Sequence, residues 1–186
     1  MTATSPTPFR ELLEALRSPS KDSQNRAFEV LLKATEKPVA WAYELWDDLL
    51  LTLRDGDNRQ RSIAAQVLSS LAKSDPEQRM SKDLAALLRV TKDEHFVTAR
   101  HCLQSLWKVG VVGEPQRNAL LKGLVLRFEE CASEKNCTLI RYDILVVLRC
   151  VYDLGSDQEI RATAERLMAT EQDPKHRTKY ATVWRK

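Results

Sequence analysis

Three histidines, four cysteines, four tryptophans and a spaced row of arginines are the side chains of this 186-residue chain that chemistry would draw on. His95 and His101 stand six residues apart, on different faces of a helix, and His176 is remote from both, so no pair has metal-ligand spacing. Cys102, Cys131, Cys137 and Cys150 form no C-x-x-C pair. Cys102 and Cys150 sit inside apolar helical patterns, where a free thiol behaves as a small hydrophobe. Cys131 and Cys137 flank a turn and are close enough in sequence to pair, but with no sign of export they are expected to be reduced. There is no G-x-S-x-G, no cysteine with a convincing base and no glycine-rich phosphate loop. The expectation is a protein without catalytic residues, metal or cofactor.

Binding chemistry has more material. Arg61, Arg141 and Arg161 could line up against phosphates. Trp41, Trp46, Trp107 and Trp184 could stack on bases. Trp41 and Trp107 lie in register with neighbouring leucines and read as core, whereas Trp46 precedes Asp47 and Asp48 and reads as only partly covered. The formal charge of +3 gathers at one end: residues 174–186 carry Lys175, Arg177, Lys179, Arg185 and Lys186 with no acid, a candidate anion-binding helix or a solvated capping helix.

The elements that must position these groups are helical. Leu, Ala, Glu, Lys and Arg dominate, strand formers are thin, and no apolar run approaches the ~18 residues a membrane span needs. The start, MTATSPTP, has neither a basic nor an apolar signal region, so residues 1–8 are expected to be disordered and residues 9–186 to form one soluble, cytoplasmic domain. A phrase recurs along it: SPSKDSQNRAFEVL from Ser18, DGDNRQRSIAAQVL from Asp55, VTKDEHFVTARHCL from Val90, KNCTLIRYDILVVL from Lys135 and GSDQEIRATAERLM from Gly155. Its tenth place is Ala27, Ala64, Ala99, Ile144 or Ala164, and its fourteenth is Leu31, Leu68, Leu103, Leu148 or Met168, one helical turn further along the same face. Successive tenth places lie 37, 35, 45 and 20 residues apart; the first three intervals suit a helix pair, and the last, about half a repeat, should fall on the opposite kind of helix. With the amphipathic runs between the phrases, the reading is five antiparallel pairs: 8–17 with 22–36, 38–54 with 57–73, 76–91 with 93–109, 115–132 with 137–154, and 157–170 with 174–185.

The form D-x-D-x-x-x-R-x-x-A-x-x-x-L, carried by Asp55, Asp57, Arg61, Ala64 and Leu68, resembles the second helix of a HEAT repeat. The resemblance implies an all-α fold, an α-solenoid of about five HEAT-like helix pairs whose second helices line a concave surface. It also implies that the seventh-place arginine bonds to the aspartate of a turn between repeats. Gln24 and Phe96 at that place should break the ladder at the first and third repeats. One HEAT-like branch, the DNA alkylation-repair glycosylases, pairs aromatic residues with a catalytic Asp, but neither Asp47 nor Asp48 stands four residues after Trp41 or Trp46. Another, the phycobilin lyase subunits, implies a chaperone-like role in attaching a prosthetic group, and nothing in these residues discriminates it.

The concave ridge, taken from places eight, twelve, fifteen and nineteen, mixes acidic, polar and apolar residues. It is less basic than a nucleic-acid groove and better suited to a protein or peptide. Gln66, His101, Gln104, Lys108, Tyr142 and Arg149 are the expected protein-binding residues, with Tyr142 and Arg149 of the types favoured as anchors. A non-catalytic scaffold or adaptor for a protein partner is therefore expected, with nucleic-acid binding through the basic C-terminus as the alternative. The near-continuous apolar helix LIRYDILVVLRCVYDL faces either a partner, a second copy or the centre of the fold.

Overall fold

The computed structural model describes residues 8–185, and 79% of the structure is helix, with no strand among the described residues. Residues 1–7 of the expected frayed start, and Lys186, lie outside the described residues; Pro8 already opens a helix. The α-helices are α1 (Pro8–Leu16), α2 (Lys21–Ala34), α3 (Ala42–Asp55), α4 (Asn58–Leu71), α5 (Met80–Val90), α6 (Phe96–Ser105), α7 (Trp107–Gly110), α8 (Glu114–Glu130), α9 (Cys137–Gly155), α10 (Gln158–Ala169) and α11 (Pro174–Trp184). None is long and apolar enough to cross a membrane.

Their ends follow from local side chains. The Ser20 hydroxyl accepts the Ser23 N–H ahead of α2; Asp57 and Gln60 form a reciprocal capping box on α4; and Asp173 accepts the Lys175 and His176 N–H groups on α11, where Pro174 supplies a fixed φ. At the far end of α9, Ser156 turns the chain with φ 52°, in the left-handed region. Two expected boundaries move. Gln78 at φ 56° sits in a turn that delays α5 to Met80, and the span 93–109 divides at Leu106 into α6 and α7. Gly110 lets α7 come down on its neighbours, since a Cβ there would meet Val151 Cγ2 at 2.8 Å.

Helix packing has a regular order. Within pairs, α1 meets α2, α3 meets α4, α5 meets α6, α8 meets α9, and α10 meets α11. Between pairs, α1, α3, α5, α8 and α10 pack in succession, and so do α2, α4, α6, α9 and α11. The phrase from Gly155 therefore lies on α10, in the first of these rows, while the other four lie in the second. The tenth-place residues Ala27, Ala64, Ala99, Ile144 and Ala164 are all buried, as are Leu31, Leu68, Leu103 and Leu148; Met168 is half-buried. Apolar α9 is a central helix, contacted by α6, α7, α8, α10 and α11.

The tryptophans reverse their expected places. Trp46 is fully buried, donating from Nε1 to Asp83 at 2.8 Å, whereas Trp41 and Trp107 are only half-buried. Trp46 shares a face with Ala42, Leu45, Leu49 and Leu53, three and four residues apart, and that period outweighs the two adjacent aspartates. Trp41 stands outside the register because it is the residue before α3, and Trp107 because it follows the break at Leu106. Asp47 is exposed and paired with Arg79, and Asp48 with Arg17.

The cysteines also need a correction. Cys131 and Cys137 form a disulfide across the turn from α8 to α9, their Cα atoms 5.1 Å apart, so the expected reduced pair is not what the structure holds. Cys102 is buried, and burial pushes its thiol well above the usual range.

Candidate functional site

The exposed side of α2, α4 and α6 carries a cleft of about 300 Å³. The capping box at Asp57 starts α4 so that Asn58 and Arg59 occupy its first turn, at the mouth of the cleft, with Ser62, Ile63 and Gln66 following along the helix. Thr98 donates its hydroxyl to the Asn58 carbonyl at 2.8 Å and ties the start of α6 to the start of α4. The apolar wall is Phe28 from α2, Ile63 from α4 and Val97 from α6, and Val97 is 62% exposed. Arg59 reaches across to the Asn25 side-chain oxygen on α2.

Ser62 Oγ lies 3.0 Å from His101 Nδ1, and Gln66 Nε2 donates to the Ser62 carbonyl at 3.1 Å. A hydroxyl beside an imidazole is the start of a nucleophile and base. Ser62 sits inside α4, where its own backbone N–H is spent on the helix ladder. What the cleft offers is apolar contact beside polar groups, which is the chemistry of binding.

Of the six expected protein-binding residues, Gln66 and His101 line this cleft. Gln104 and Lys108 lie further along α6 and α7 and are tied to adjacent helices: Gln104 donates to Asp143 at 3.2 Å, and Lys108 Nζ to Ser70 Oγ at 2.7 Å. Burial, then the charge of Lys73, lowers the Lys108 ammonium from its ordinary value. Tyr142 and Arg149 are not free anchors. Lys179 of α11 lies 5.0 Å from the centre of the Tyr142 ring, and Arg149 sits between Asp153 at 2.7 Å and the Trp184 ring at 5.6 Å. Both contacts arise because α11 follows α9 in the same row, and Tyr142 and Arg149 remain half-buried beside it. Its hold is a core contact: Tyr180 is fully buried against Phe128, and its phenol is pushed up to about 12 by burial and then by the charge of Glu171.

Of the candidate anion-binding residues, Lys175, Arg177, Lys179 and Arg185 are all exposed; Lys179 also lies over the Tyr142 ring, and Arg177 donates to the Glu171 carbonyl at 3.1 Å, while Lys186 lies outside the described residues.

The arginine row divides likewise. Arg61 grips Asp93 of the α5–α6 turn with two bonds, 2.6 and 3.0 Å, and also donates to the Gly56 carbonyl at 2.7 Å. Arg141 reaches Glu171 of the α10–α11 turn at 3.1 Å. Arg161 pairs instead with Glu165 one turn along its own helix. Burial pushes the Asp93 carboxyl up, but Arg61, the His95 N–H and the two positive charges outweigh it and hold the group below the usual carboxylate range. The same preference runs through the other arginines that are not exposed: Arg79 with Asp47, Arg100 with Asp143, Arg117 with Asp157, Arg127 with Glu134 and Arg149 with Asp153. Arg59 departs from it, since its partner is the neutral Asn25.

No protein-family model matches the chain, and no curated protein matches it in sequence. Gln66 and His101 were expected on this face from the helical period, whereas Phe28, Asn58, Arg59 and Thr98 join them in the cleft only through packing. Arg59 follows Asp57 and Asn58 in a turn-like entry, and it becomes distinctive only when its partner is known.

Proposed function

We propose that this chain is a non-catalytic binding module, an α-solenoid of HEAT-like helix pairs acting as a scaffold or adaptor, and that the α2–α4–α6 face takes a segment of a protein partner. The observation that carries the reading is the cleft itself: exposed Val97 lines it together with Phe28 and Ile63, on three successively packed helices. An exposed aliphatic side chain facing an apolar recess with a polar rim is the composition of a protein-binding patch. The two-row order of the helices, the buried tenth places and the fourteenth places buried in four of the five phrases support the repeat architecture. The inter-turn grip of Arg61 on Asp93 supports it as well. Nucleic-acid binding through α11 is the second reading: Lys175, Arg177, Lys179 and Arg185 are exposed there, though Lys179 and Arg177 also make contacts within the chain.

The test is a selection of short peptides on the folded protein from a random display library, followed by Val97→Asp. An aspartate in the first turn of α6 suits the helix, and the site is exposed, so the melting temperature should hold while affinity for the selected peptides falls about tenfold or more. Peptides that bind Val97→Asp as they bind the parent would show that the cleft is not the binding face.

A further inference from the structure

Resting on that reading, we infer that the cleft's occupant is an extended acidic peptide segment, with an Asp or Glu carboxylate against Arg59 and a neighbouring aliphatic or aromatic side chain against Phe28, Ile63 and Val97. Every other arginine that is not exposed among the described residues is matched by a carboxylate. Arg59 is half-buried, makes its one side-chain bond to a neutral amide oxygen, and has an Nε that is buried with no acceptor. A partly desolvated cation without a counter-charge is costly, and the remedy this fold uses elsewhere is a carboxylate. None of the residues lining the cleft is acidic, so a carboxylate that met Arg59 there would belong to the occupant.

Shape and charge narrow the occupant further. A volume of about 300 Å³ lies at the small end of the roughly 300–1,000 Å³ range of ligand pockets, room for a short stretch of chain rather than an amphipathic helix. A nucleic-acid backbone asks for several cations in a row, whereas this cleft has one arginine set among apolar side chains. A guanidinium and a carboxylate can meet through two parallel hydrogen bonds, which fixes the register of a bound strand as well as holding it.

The probe is the most enriched peptide from a random heptapeptide display library, synthesised with an amidated C-terminus so that any carboxylate belongs to a side chain. Its binding is read by fluorescence anisotropy on the parent, Arg59→Gln, Arg59→Glu, Val97→Asp and, on the opposite row of helices, Arg166→Glu, each with a circular dichroism spectrum to confirm folding. Enriched sequences should place Asp or Glu beside Leu, Ile or Phe. The Kd should rise about tenfold or more for Arg59→Glu and stay at the parent value for Arg166→Glu. Replacing the peptide's carboxylate by its amide should cost the parent protein affinity and cost Arg59→Gln little more, as expected of two groups that act on each other. Peptides that need Val97 but ignore Arg59 would leave the binding face standing and overturn the acidic occupant. Peptides indifferent to both residues would defeat both readings. A twenty-nucleotide oligo-dT held through Arg59 more tightly than any peptide would overturn the inference in favour of nucleic acid.

Discussion

Trp46→Ala is expected to lower the free energy of unfolding by about 3–5 kcal/mol, a large share of the 5–15 kcal/mol typical of a folded domain. The indole is fully buried in α3, meets Tyr43 edge-on with ring centres 5.7 Å apart, and lies under the Arg79 guanidinium at 5.6 Å. Its removal leaves a cavity where α3 packs on α5 and takes away the donor that satisfies Asp83. Thermal melting should show a fall on the order of 10 °C. Trp46→Phe, which refills most of the volume but not the hydrogen bond, should recover more than half of the loss. Trp41→Ala is the control: that ring is half-buried and stacked on Phe9 at 3.9 Å, and its loss should cost well under half as much. A Trp46→Ala protein that melts like Trp41→Ala would mean that the face assigned to α3 is wrong.

Asp93→Ala should cost about 2–4 kcal/mol at neutral pH, because the Asp93 side chain is 4% exposed and its removal strands Arg61, which is 19% exposed, and frees the His95 N–H. The effect should depend on pH in a stated direction. Asp93 has its folded pKa below the ordinary value, so its stabilisation is fully present above an unfolded pKa of about 3.9 and disappears as pH falls through the folded value. Parent and Asp93→Ala should therefore differ most from about pH 5 upward and converge in strong acid. Urea melts across that range check it, and a difference that grew on acidification would contradict the assignment.

Most of the helical framework was legible because it rests on period alone. The recurrent phrase fixed which residues point inward at Ala27, Ala64, Ala99 and Ile144. The tryptophans were misplaced where adjacency was read in place of period, at Trp46, and where a helix start or break removed a residue from the register, at Trp41 and Trp107. The surroundings of the proposed ridge were legible only in part. Gln66 and His101 follow from helix geometry within one repeat, but the cover over Tyr142 and Arg149 comes from Lys179 and Trp184, more than thirty residues later in sequence, and no local pattern encodes that contact. Arg59 was hidden for the same reason: its lack of a carboxylate is a property of the packed neighbours Asn25, Phe28 and Val97, which lie on two other helices.

The binding face is tested most directly by amide chemical-shift mapping, titrating an enriched acidic peptide into isotopically labelled protein. The largest shifts are expected on Phe28, Arg59, Ile63, Val97 and His101, the residues that α2, α4 and α6 bring around one cleft. Shifts centred instead on α11, around Lys175 and Arg185, or on the α8 and α10 surface near Leu126, would contradict that expectation.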